Sequence, residues 1–270
     1  MTEWFDLCRA AVADVEAVLE RLPTRAEREP VVGDGRGGDE TTAIDRAAEE
    51  AILARVRDAA GTIVSEEIGR LGGSALPLVV VDPIDGSLNA KRGIPFFAIS
   101  IAVAEGETMD DVVFGFVHDF GSGEEWTARR GEGAWLNGAR LGAVRPKDEV
   151  EILSFEAKRT ELVARDAPKV ADHAHRLRIM GSLALSLCHL AAGRVDAVCS
   201  LKTARAVDIA AGQLLAREVG LCVDLPEAPP FEAAPLDLAG RSRVVAARTP
   251  ALCRRLADAL GPSKRDRPGI

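Results

Sequence analysis

The sequence predicts a protein of mixed class, with an α+β half followed by an α/β half. Two helices are predicted before residue 60, the first of them clearly amphipathic. Residues 96–136 contain short apolar runs separated by turns with Gly or acidic residues, which is typical of antiparallel strands. From about residue 150, apolar runs of strand length alternate with stretches of helical periodicity, which indicates α/β order.

The first half begins with a helix over residues 3–22, where apolar residues recur at three- and four-residue steps until Pro23. The charged, Gly-rich residues 24–40 predict a mobile surface loop. Thr41 or Thr42 caps a second predicted helix, which runs to about Ala60. The predicted strands are 62–65, 78–81, 96–104, 112–118, 124–128 and 134–136.

The second half is predicted to alternate strands with helices. Its strands are 152–155, 177–180, 196–199, 221–224 and 244–247, and its helices are 182–192, 206–219 and 249–260. We therefore divide the chain into an N-terminal α+β half with the metal-binding motifs (1–150) and a C-terminal α/β half (151–262). Residues 263–270 are polar and are expected to form a disordered tail.

Composition limits the partners and the compartment. The 270 residues are 47% hydrophobic and 28% charged, which excludes a disordered or collagen-like chain. A net charge of −8 argues against a nucleic acid or an anionic membrane as partner. The five cysteines form no C-x-x-C, and the N-terminus does not resemble a signal peptide. We therefore expect a soluble cytoplasmic protein whose partner is neither nucleic acid nor a membrane.

Acidic residues follow the predicted strands in two places and open a helix in a third. They are Glu66 with Glu67, Asp82 with Asp85, and Asp208. Ligand sites in α/β folds collect beyond the carboxyl ends of strands, so we expect these acids to be neighbours. Carboxylate oxygens without accompanying His or Cys suit hard cations, Mg²⁺ above all. Gly86 allows close approach of a ligand, and a short helix starting at Ser87 would direct N–H groups at a phosphate.

Acids at strand ends are also often helix caps or solvated turns. That alternative stays open for Glu66 and Glu67 taken alone. It is disfavoured for the run that directly follows a wholly apolar strand, Asp82-Pro83-Ile84-Asp85-Gly86-Ser87.

Three ordered motifs resemble those of the lithium-sensitive, Mg²⁺-dependent phosphatases, the inositol monophosphatases and fructose-1,6-bisphosphatases. The D-P-[IL]-D-G-[TS]-x-N motif of that superfamily stands here as Asp82-Pro83-Ile84-Asp85-Gly86-Ser87-Leu88-Asn89. Its upstream acidic pair is Glu66-Glu67, and its late motif is Asp208-Ile209-Ala210-Ala211-Gly212. The likeness is nearest to the archaeal-type dual inositol monophosphatase/fructose-1,6-bisphosphatase group and runs from about residue 5 to 260.

The resemblance implies a role for each matching residue. The metal ligands would be Glu66, Asp82, Asp85, Asp208 and the carbonyl of Ile84, with Asp39 helping to hold a third ion. The catalytic residues would be Glu66, Asp45 and Ser87, the last two orienting the attacking water. The substrate and its phosphate would contact Asp85, Gly86, Ser87, Gly181, Ser182 and Asp208.

The resemblance also implies a layered α-β-α-β-α sandwich, a homodimer, and two or three Mg²⁺ per site. Mn²⁺ would substitute for Mg²⁺, and Li⁺ would inhibit. The implied reaction is direct in-line attack of metal-activated water on a small sugar or polyol phosphate, without a phosphoenzyme. Fructose 1,6-bisphosphate and inositol 1-phosphate are the expected substrates. Positioning and charge neutralisation would carry most of the rate.

A second phosphate on the substrate would need a cationic pocket. The candidates are Arg176, Arg178, Lys202 and Arg205, each of which could also be an ordinary surface charge. Val207 stands where inositol phosphatases usually have Trp, and Leu201 where they have Glu. The Arg of the archaeal-type group is also absent near Leu201. These departures favour a broader or sugar-phosphate substrate over strict inositol specificity.

Other functions remain as alternatives. Histidinol phosphate or 3′-phosphoadenosine 5′-phosphate could be the substrate within the same superfamily, and a non-catalytic metal- or sugar-phosphate-binding regulator is a further possibility. A phosphoaspartate enzyme is disfavoured, because two residues rather than one separate Asp82 from Asp85. The glycines of 33–38 match a dinucleotide fingerprint, but they lie between two predicted helices rather than after a strand.

Overall fold

The computed structural model describes residues 2–38 and 40–262 of the chain. Asp39 and the predicted tail, 263–270, lie outside the described residues. The described helices are α1 (Thr2–Arg21), α2 (Arg25–Arg28), α3 (Ala43–Val56), α4 (Ser87–Arg92), α5 (Thr160–Val170), α6 (Leu183–Ala191), α7 (Ala206–Glu218) and α8 (Pro250–Leu260). Short 3₁₀ helices cover Met109–Asp111 and Phe231–Ala233.

The described strands form two large sheets and one hairpin. The hairpin strands are β1 (Val31–Asp34) and β2 (Glu40–Thr42). The first sheet contains β3 (Thr62–Ser65), β4 (Gly69–Leu71), β5 (Leu78–Asp85), β6 (Ala98–Ala104), β7 (Val112–Asp119), β8 (Glu125–Arg129), β9 (Gly133–Leu136) and β10 (Ala139–Arg140). The second contains β11 (Val150–Glu156), β12 (Ala174–Arg178), β13 (Ala197–Ser200), β14 (Cys222–Asp224) and β15 (Val245–Ala247).

The first sheet has the strand order β10-β9-β8-β7-β6-β5-β3-β4, and only its β3–β5 pair is parallel among the described pairs. The second has the order β12-β11-β13-β15-β14, with β11 parallel to both of its neighbours. The first sheet is mainly antiparallel, as predicted for residues 96–136, and the second sheet is mixed, with two parallel and two antiparallel pairs.

The structure has five layers, and three apolar clusters fill the interfaces between them. Val79 and Val81 of β5 pack against α1 and α3, whereas Val80 points to the opposite face, because side chains alternate along a strand. That inner face packs on α6 and α7, which also contact the inner face of the second sheet. The outer face of the second sheet is covered by α5 and α8. The predicted α-β-α-β-α sandwich is confirmed.

The prediction of a loop over residues 24–40 is wrong in part. Helix α2 and strand β1 occupy about half of it, and β1 pairs with β2 through Val31 opposite Thr42 and Asp34 opposite Glu40. The β-branched Val31 and Val32 favour a strand, but charged and glycine residues around them dominate the local composition. The hairpin matters for function because it brings the residues after β1 up to the first sheet.

Helix α5 has no counterpart in the prediction. Its buried positions recur every four residues, at Leu162, Asp166 and Val170. An aspartate in the middle of that stripe, together with Pro168, hides the helical period. Asp166 tolerates burial because Arg165 and Lys169 pair with it at 2.6 and 2.8 Å.

A row of small residues crosses the inner face of the first sheet. In register on four adjacent strands, these are Ala102, Gly115, Ala128 and Ala134. Helix α7 lies on this row, and a Cβ added at Gly115 would come within 2.9 Å of the Ala211 carbonyl oxygen. The absence of bulk in the row therefore sets how closely α7 approaches the sheet.

No helix among the described residues is both long enough and apolar enough to cross a membrane. All five cysteines carry free thiols, and four of them are buried.

We predict that Gly115→Val lowers the free energy of unfolding by roughly 1–3 kcal/mol, the usual effect of overpacking. Valine suits a strand, so any loss must come from its collision with α7. Urea unfolding would measure it. The matched control is Gly142→Ala, where an added Cβ meets no atom within 4 Å; we expect a change within about 0.5 kcal/mol. Equal losses in the two variants would contradict the close approach of α7.

Candidate active site

The parallel pair β3–β5 begins the site. Ser65, the last residue of β3, lies opposite Val81 of β5, so the next residues, Glu66 and Asp82, emerge side by side. Asp208 reaches them from the first turn of α7. Each of these three acids offers one carboxylate oxygen, and the three oxygens all lie within 4.8 Å of one another. We call Glu66, Asp82 and Asp208 the carboxylate cluster.

The turn after Asp82 is held by its own polar groups. Asp82 Oδ1 accepts a hydrogen bond from the Ile84 N–H at 3.1 Å, and the Ile84 carbonyl accepts one from Ser87 Oγ at 2.9 Å. Gly86 adopts the left-handed region with φ 92°, and a Cβ there would lie 3.0 Å from the Phe96 carbonyl oxygen. The structure thus starts helix α4 at Ser87, as predicted.

Asp85 connects the two halves of the chain. Its Oδ2 accepts hydrogen bonds from Ser182 Oγ and from the Ala184 N–H, both at 2.6 Å. Ser182 is the N-cap of α6 and accepts from the Leu185 N–H. Gly181 lies close by, with its carbonyl 3.3 Å from a Cβ added at Gly86. The structure therefore brings the predicted substrate residues Gly181 and Ser182 to Asp85.

Asp45 lies in the first turn of α3. Its Oδ2 accepts hydrogen bonds from the Thr42 N–H at 3.2 Å and Thr42 Oγ1 at 2.5 Å, and it pairs with Lys91 Nζ at 3.2 Å. Its Oδ1 is buried and has no hydrogen-bond partner among the described residues. A buried acceptor in that condition fits a bound water or a ligand. Lys91, one turn after Ser87, is a site residue that the sequence reasoning missed.

Arg205 occupies the middle of the carboxylate cluster rather than a separate pocket. Its side chain forms an ion pair with Glu66 and approaches Asp208 at 2.7 Å through one guanidinium nitrogen. Arg205 is only 5% exposed. In this structure its charge faces two carboxylates, and its predicted contact with a second phosphate stays a prediction.

Burial shapes the titration of these acids. It raises the pKa of Asp82 well above its usual value, and the charges of Glu66 and Asp85 add to the rise. Burial also raises the pKa of Glu66, although Arg205 opposes this. At Asp208 burial acts in the same upward direction, but the charge and hydrogen bonds of Arg205 outweigh it and lower the pKa.

Two neighbouring acids are poised near neutrality. Burial raises the pKa of Asp85 to about 7, although the Ser182 hydrogen bond acts in the opposite direction. Burial likewise raises the pKa of Glu67 to about 7, against the hydrogen bond from Thr41. A site in which most of the carboxyl groups have a raised pKa favours a bound cation, which would stabilise their charged forms.

The remaining predicted residues are peripheral or outside the described chain. Arg176 and Arg178 are exposed on the edge strand β12; Arg176 pairs with Glu151 at 3.0 Å, and Arg178 donates to the Leu177 carbonyl. Their predicted substrate contacts stay predictions. Asp39 lies outside the described residues.

The donor set fits a hard divalent cation. The carboxylate cluster offers only oxygen ligands, and Asp82 is 1% exposed, so a cation there would be largely shielded from water. The additional oxygen acceptors are Asp85 and the Ile84 carbonyl, both on the same turn. Sequence reasoning identified all of these residues, whereas Arg205 as their counterion was visible only in three dimensions.

We predict that Glu67→Gln flattens the pH dependence of stability in the presence of a chelator. Between its usual pKa of 4.5 and its folded pKa of about 7, Glu67 holds a proton in the folded state that the unfolded chain has released. Stability from this group is therefore full below pH 4.5 and is lost as the pH rises through 7. Urea unfolding from pH 4.5 to 8 would measure the slope. The exposed Glu50→Gln serves as control, and an unchanged slope in Glu67→Gln would refute the prediction.

We also predict that Arg205→Met destabilises the chelator-treated protein by about 3–5 kcal/mol, because it leaves buried carboxylates without their counterion. Adding a divalent cation should recover part of that loss. The control is Arg217→Met in α7, whose pair with Asp110 at 2.8 Å is partly exposed; we expect a loss of at most about 1 kcal/mol. The two variants would be compared by chemical unfolding, and similar losses would argue against a counterion role.

Comparison with known proteins agrees with this geometry. The profile of the Inositol monophosphatase family matches residues 4–264. A fructose-1,6-bisphosphatase of Pyrococcus furiosus is 32% identical over 221 residues, covering 82% of this chain and 84% of that protein. The Nus factor SuhB of Escherichia coli (strain K12) is 37% identical over 233 residues, covering 82% and 85%.

A solved inositol monophosphatase-fructose 1,6 bisphosphatase has the same fold, with a TM-score of 0.84 and 28% identity over 95% of this chain and 99% of that one. The family match spans nearly the whole chain and includes every motif from which the site is built. The chain belongs to the inositol monophosphatase family and is a metal-dependent phosphoric monoester hydrolase.

Proposed function

We propose that this chain hydrolyses small sugar or polyol phosphates with Mg²⁺ as its metal, with fructose 1,6-bisphosphate and inositol 1-phosphate as the leading substrates. The observation that carries the proposal is the buried carboxylate cluster beside Asp45, whose Oδ1 has no partner among the described residues. The names of the Pyrococcus furiosus relative, a fructose-1,6-bisphosphatase, and of the solved inositol monophosphatase-fructose 1,6 bisphosphatase support the choice of substrates.

The cluster would hold the metal, together with Asp85 and the Ile84 carbonyl. Asp39 keeps its predicted role toward a third ion. When bound, Mg²⁺ polarises a phosphoryl oxygen and lowers the pKa of a coordinated water. Oxygen ligands alone, without His or Cys, favour Mg²⁺ over zinc at this site.

Asp45 would orient the attacking water. Its Oδ2 is occupied by Thr42 and Lys91, which fixes the orientation of the carboxylate. Its Oδ1 is then directed to accept a hydrogen bond from the water, as a general base or an orienting group does. Ser87 Oγ, which donates to the Ile84 carbonyl, keeps its lone pairs available as a second acceptor.

The scissile phosphate would contact the turn between β5 and α4. Gly86 has no side chain to block it, and its left-handed backbone places Ser87 at the start of α4. Backbone N–H groups in a first helical turn lack intrahelical partners. We therefore propose that the N–H groups of Gly86 and Ser87 bind phosphate oxygens, with Ser182 and Gly181 closing the opposite side.

We expect the enzyme to accept several substrates, because the described part of the site lacks the polar and cationic side chains that would select one of them. Val207 and Leu201 are buried and apolar at the positions where an inositol enzyme usually has Trp and Glu. Arg205 is engaged with the carboxylate cluster, so a second phosphate would depend on other cations. We propose moderate selectivity, with histidinol phosphate and 3′-phosphoadenosine 5′-phosphate as weaker alternatives.

A purified-enzyme assay of phosphate release tests the function. We expect Mg²⁺-dependent release from at least one of fructose 1,6-bisphosphate, inositol 1-phosphate, histidinol phosphate and 3′-phosphoadenosine 5′-phosphate. EDTA or Asp82→Asn should each lower kcat/KM by at least about a thousandfold, because both remove several kcal/mol of charge stabilisation. The surface control Asp110→Asn should keep its activity. Activity that survives both EDTA and Asp82→Asn would rule out the metal mechanism.

The same assay separates an enzyme from a regulator. A non-catalytic metal- or sugar-phosphate-binding protein would bind the panel without releasing phosphate, and one relative carries the name of a Nus factor. All of the acids of the family motifs are present here, which favours catalysis. The homodimer and the cytoplasmic location stay predictions, the latter supported by five free thiols.

A further inference from the structure

A buried carboxylate in the second half is not used by the mechanism above. Glu156 ends strand β11 and is 7% exposed. Its Oε1 lies 2.9 Å from Ser154 Oγ and 3.0 Å from Ser186 Oγ, and accepts from the Met180 N–H at 3.2 Å. Its Oε2 accepts from the Gly181 N–H at 2.8 Å. A charged group this deep is expensive unless its hydrogen bonds are complete, and here they nearly are.

The segment that Glu156 holds leads directly to the site. Gly181, whose φ of 89° is left-handed, is followed by Ser182, and Ser182 Oγ donates to Asp85 at 2.6 Å. The Ala184 N–H donates to the same oxygen of Asp85. Glu156 accepts hydrogen bonds from two backbone N–H groups of this turn, and Asp85 accepts two more from its other side. These four hydrogen bonds fix the turn on both sides. Asp85 is 97 residues from Ser182 in sequence, so the turn couples the two halves.

The chemistry of the turn calls for a carboxylate at this position. Two backbone N–H groups converge on its two oxygens, and an ionised carboxylate is an acceptor at both. An amide of the same shape would place an NH₂ against one of those N–H groups. Charge-assisted hydrogen bonds are also the stronger kind, which suits a residue that must hold a turn against thermal motion.

We propose that Glu156 is a positioning residue: by anchoring Met180 and Gly181 it sets Ser182, and through Ser182 it sets the orientation of the Asp85 carboxylate toward metal and substrate. The inference rests on the proposed role of Asp85 as a metal and substrate ligand. Glu156 itself touches neither. Partners of this kind commonly change metal affinity or activity by 10- to 100-fold when they are altered.

The test is the Mg²⁺ dissociation constant of Glu156→Gln, measured by calorimetry on the full chain, with KM and kcat for the best substrate of the panel. We expect the Kd for Mg²⁺ and the KM to rise roughly tenfold. At saturating Mg²⁺ and substrate, kcat should return to within about threefold of wild type, because the reacting groups are intact. Ser182→Ala should shift Kd in the same direction.

The matched control is Asp196→Asn. Asp196 is a buried carboxylate of the same half that also accepts two backbone N–H groups, those of Glu151 and Ile152. It lies at the opposite end of β11 from Glu156, about 13–17 Å along the strand at 3.2–3.4 Å per residue. A merely structural role for Glu156 would make the two variants alike, with lower stability and an unchanged Mg²⁺ affinity.

A double variant sharpens the result. If Glu156 acts through Ser182, then Glu156→Gln added to Ser182→Ala should weaken Mg²⁺ binding little further, whereas independent effects would multiply. Should Glu156→Gln fail to fold, Ser186→Ala removes one contact of Glu156 and should give a smaller shift in the same direction. A Kd within twofold of wild type in whichever of these two variants folds overturns the proposal.

The experiments distinguish failure of the proposed function from failure of the inference about Glu156. A wild-type protein that releases phosphate from no compound of the panel contradicts that function, yet its Mg²⁺ affinity by calorimetry still tests Glu156. An active wild type whose Mg²⁺ affinity ignores Glu156→Gln contradicts this inference alone.

Discussion

The structure depends on one electrostatic constraint, which is that several carboxylates must share a small buried volume. Like charges a few ångströms apart repel strongly where water is excluded, so such a group survives only with hydrogen bonds, protons or cations to offset it. Arg205 pairs with two members of the cluster, yet burial, together with the charges of Glu66 and Asp85, still raises the pKa of Asp82. A bound cation would offset this repulsion, and the cluster therefore links stability, pH dependence and the proposed catalysis in one place.

The fold supplies the geometry that this constraint requires. The β3–β5 pair places Glu66 and Asp82 next to each other, because the carboxyl ends of parallel strands meet at one edge. Asp208 arrives only because α7 lies flat on the row of small residues around Gly115, between the two sheets. Asp85 is then held from the second half through Ser182. The site is therefore built at the junction of the two sheets, and the packing of α7 and α6 sets its dimensions.

Most of the candidate metal-binding residues were predictable from the sequence. Asp82 to Ser87 directly follow a wholly apolar strand, and that context made a metal site the favoured interpretation of the run. The helices over 3–22 and 206–219 were recognisable because their apolar residues keep a helical period. The β1–β2 hairpin and α5 were missed, because charged or glycine residues in the first and Asp166 in the second interrupt the pattern that marks an element. In the structure, β1 is stabilised by its pairing with β2, and the buried Asp166 is stabilised by ion pairs with Arg165 and Lys169.

The sequence by itself determined the class of chemistry: carboxylates at strand ends without His or Cys, a glycine at the turn, and a short helix after it specify a hard-cation phosphate site. Tertiary structure decided how the charges are distributed among those residues. It placed Arg205 as a counterion beside two carboxylates, left one oxygen of Asp45 without a partner among the described residues while Thr42 and Lys91 contact the other, and put Glu156 behind Asp85. These roles depend on burial and on contacts between residues far apart in the chain, and neither can be inferred from the residues that are neighbours in sequence.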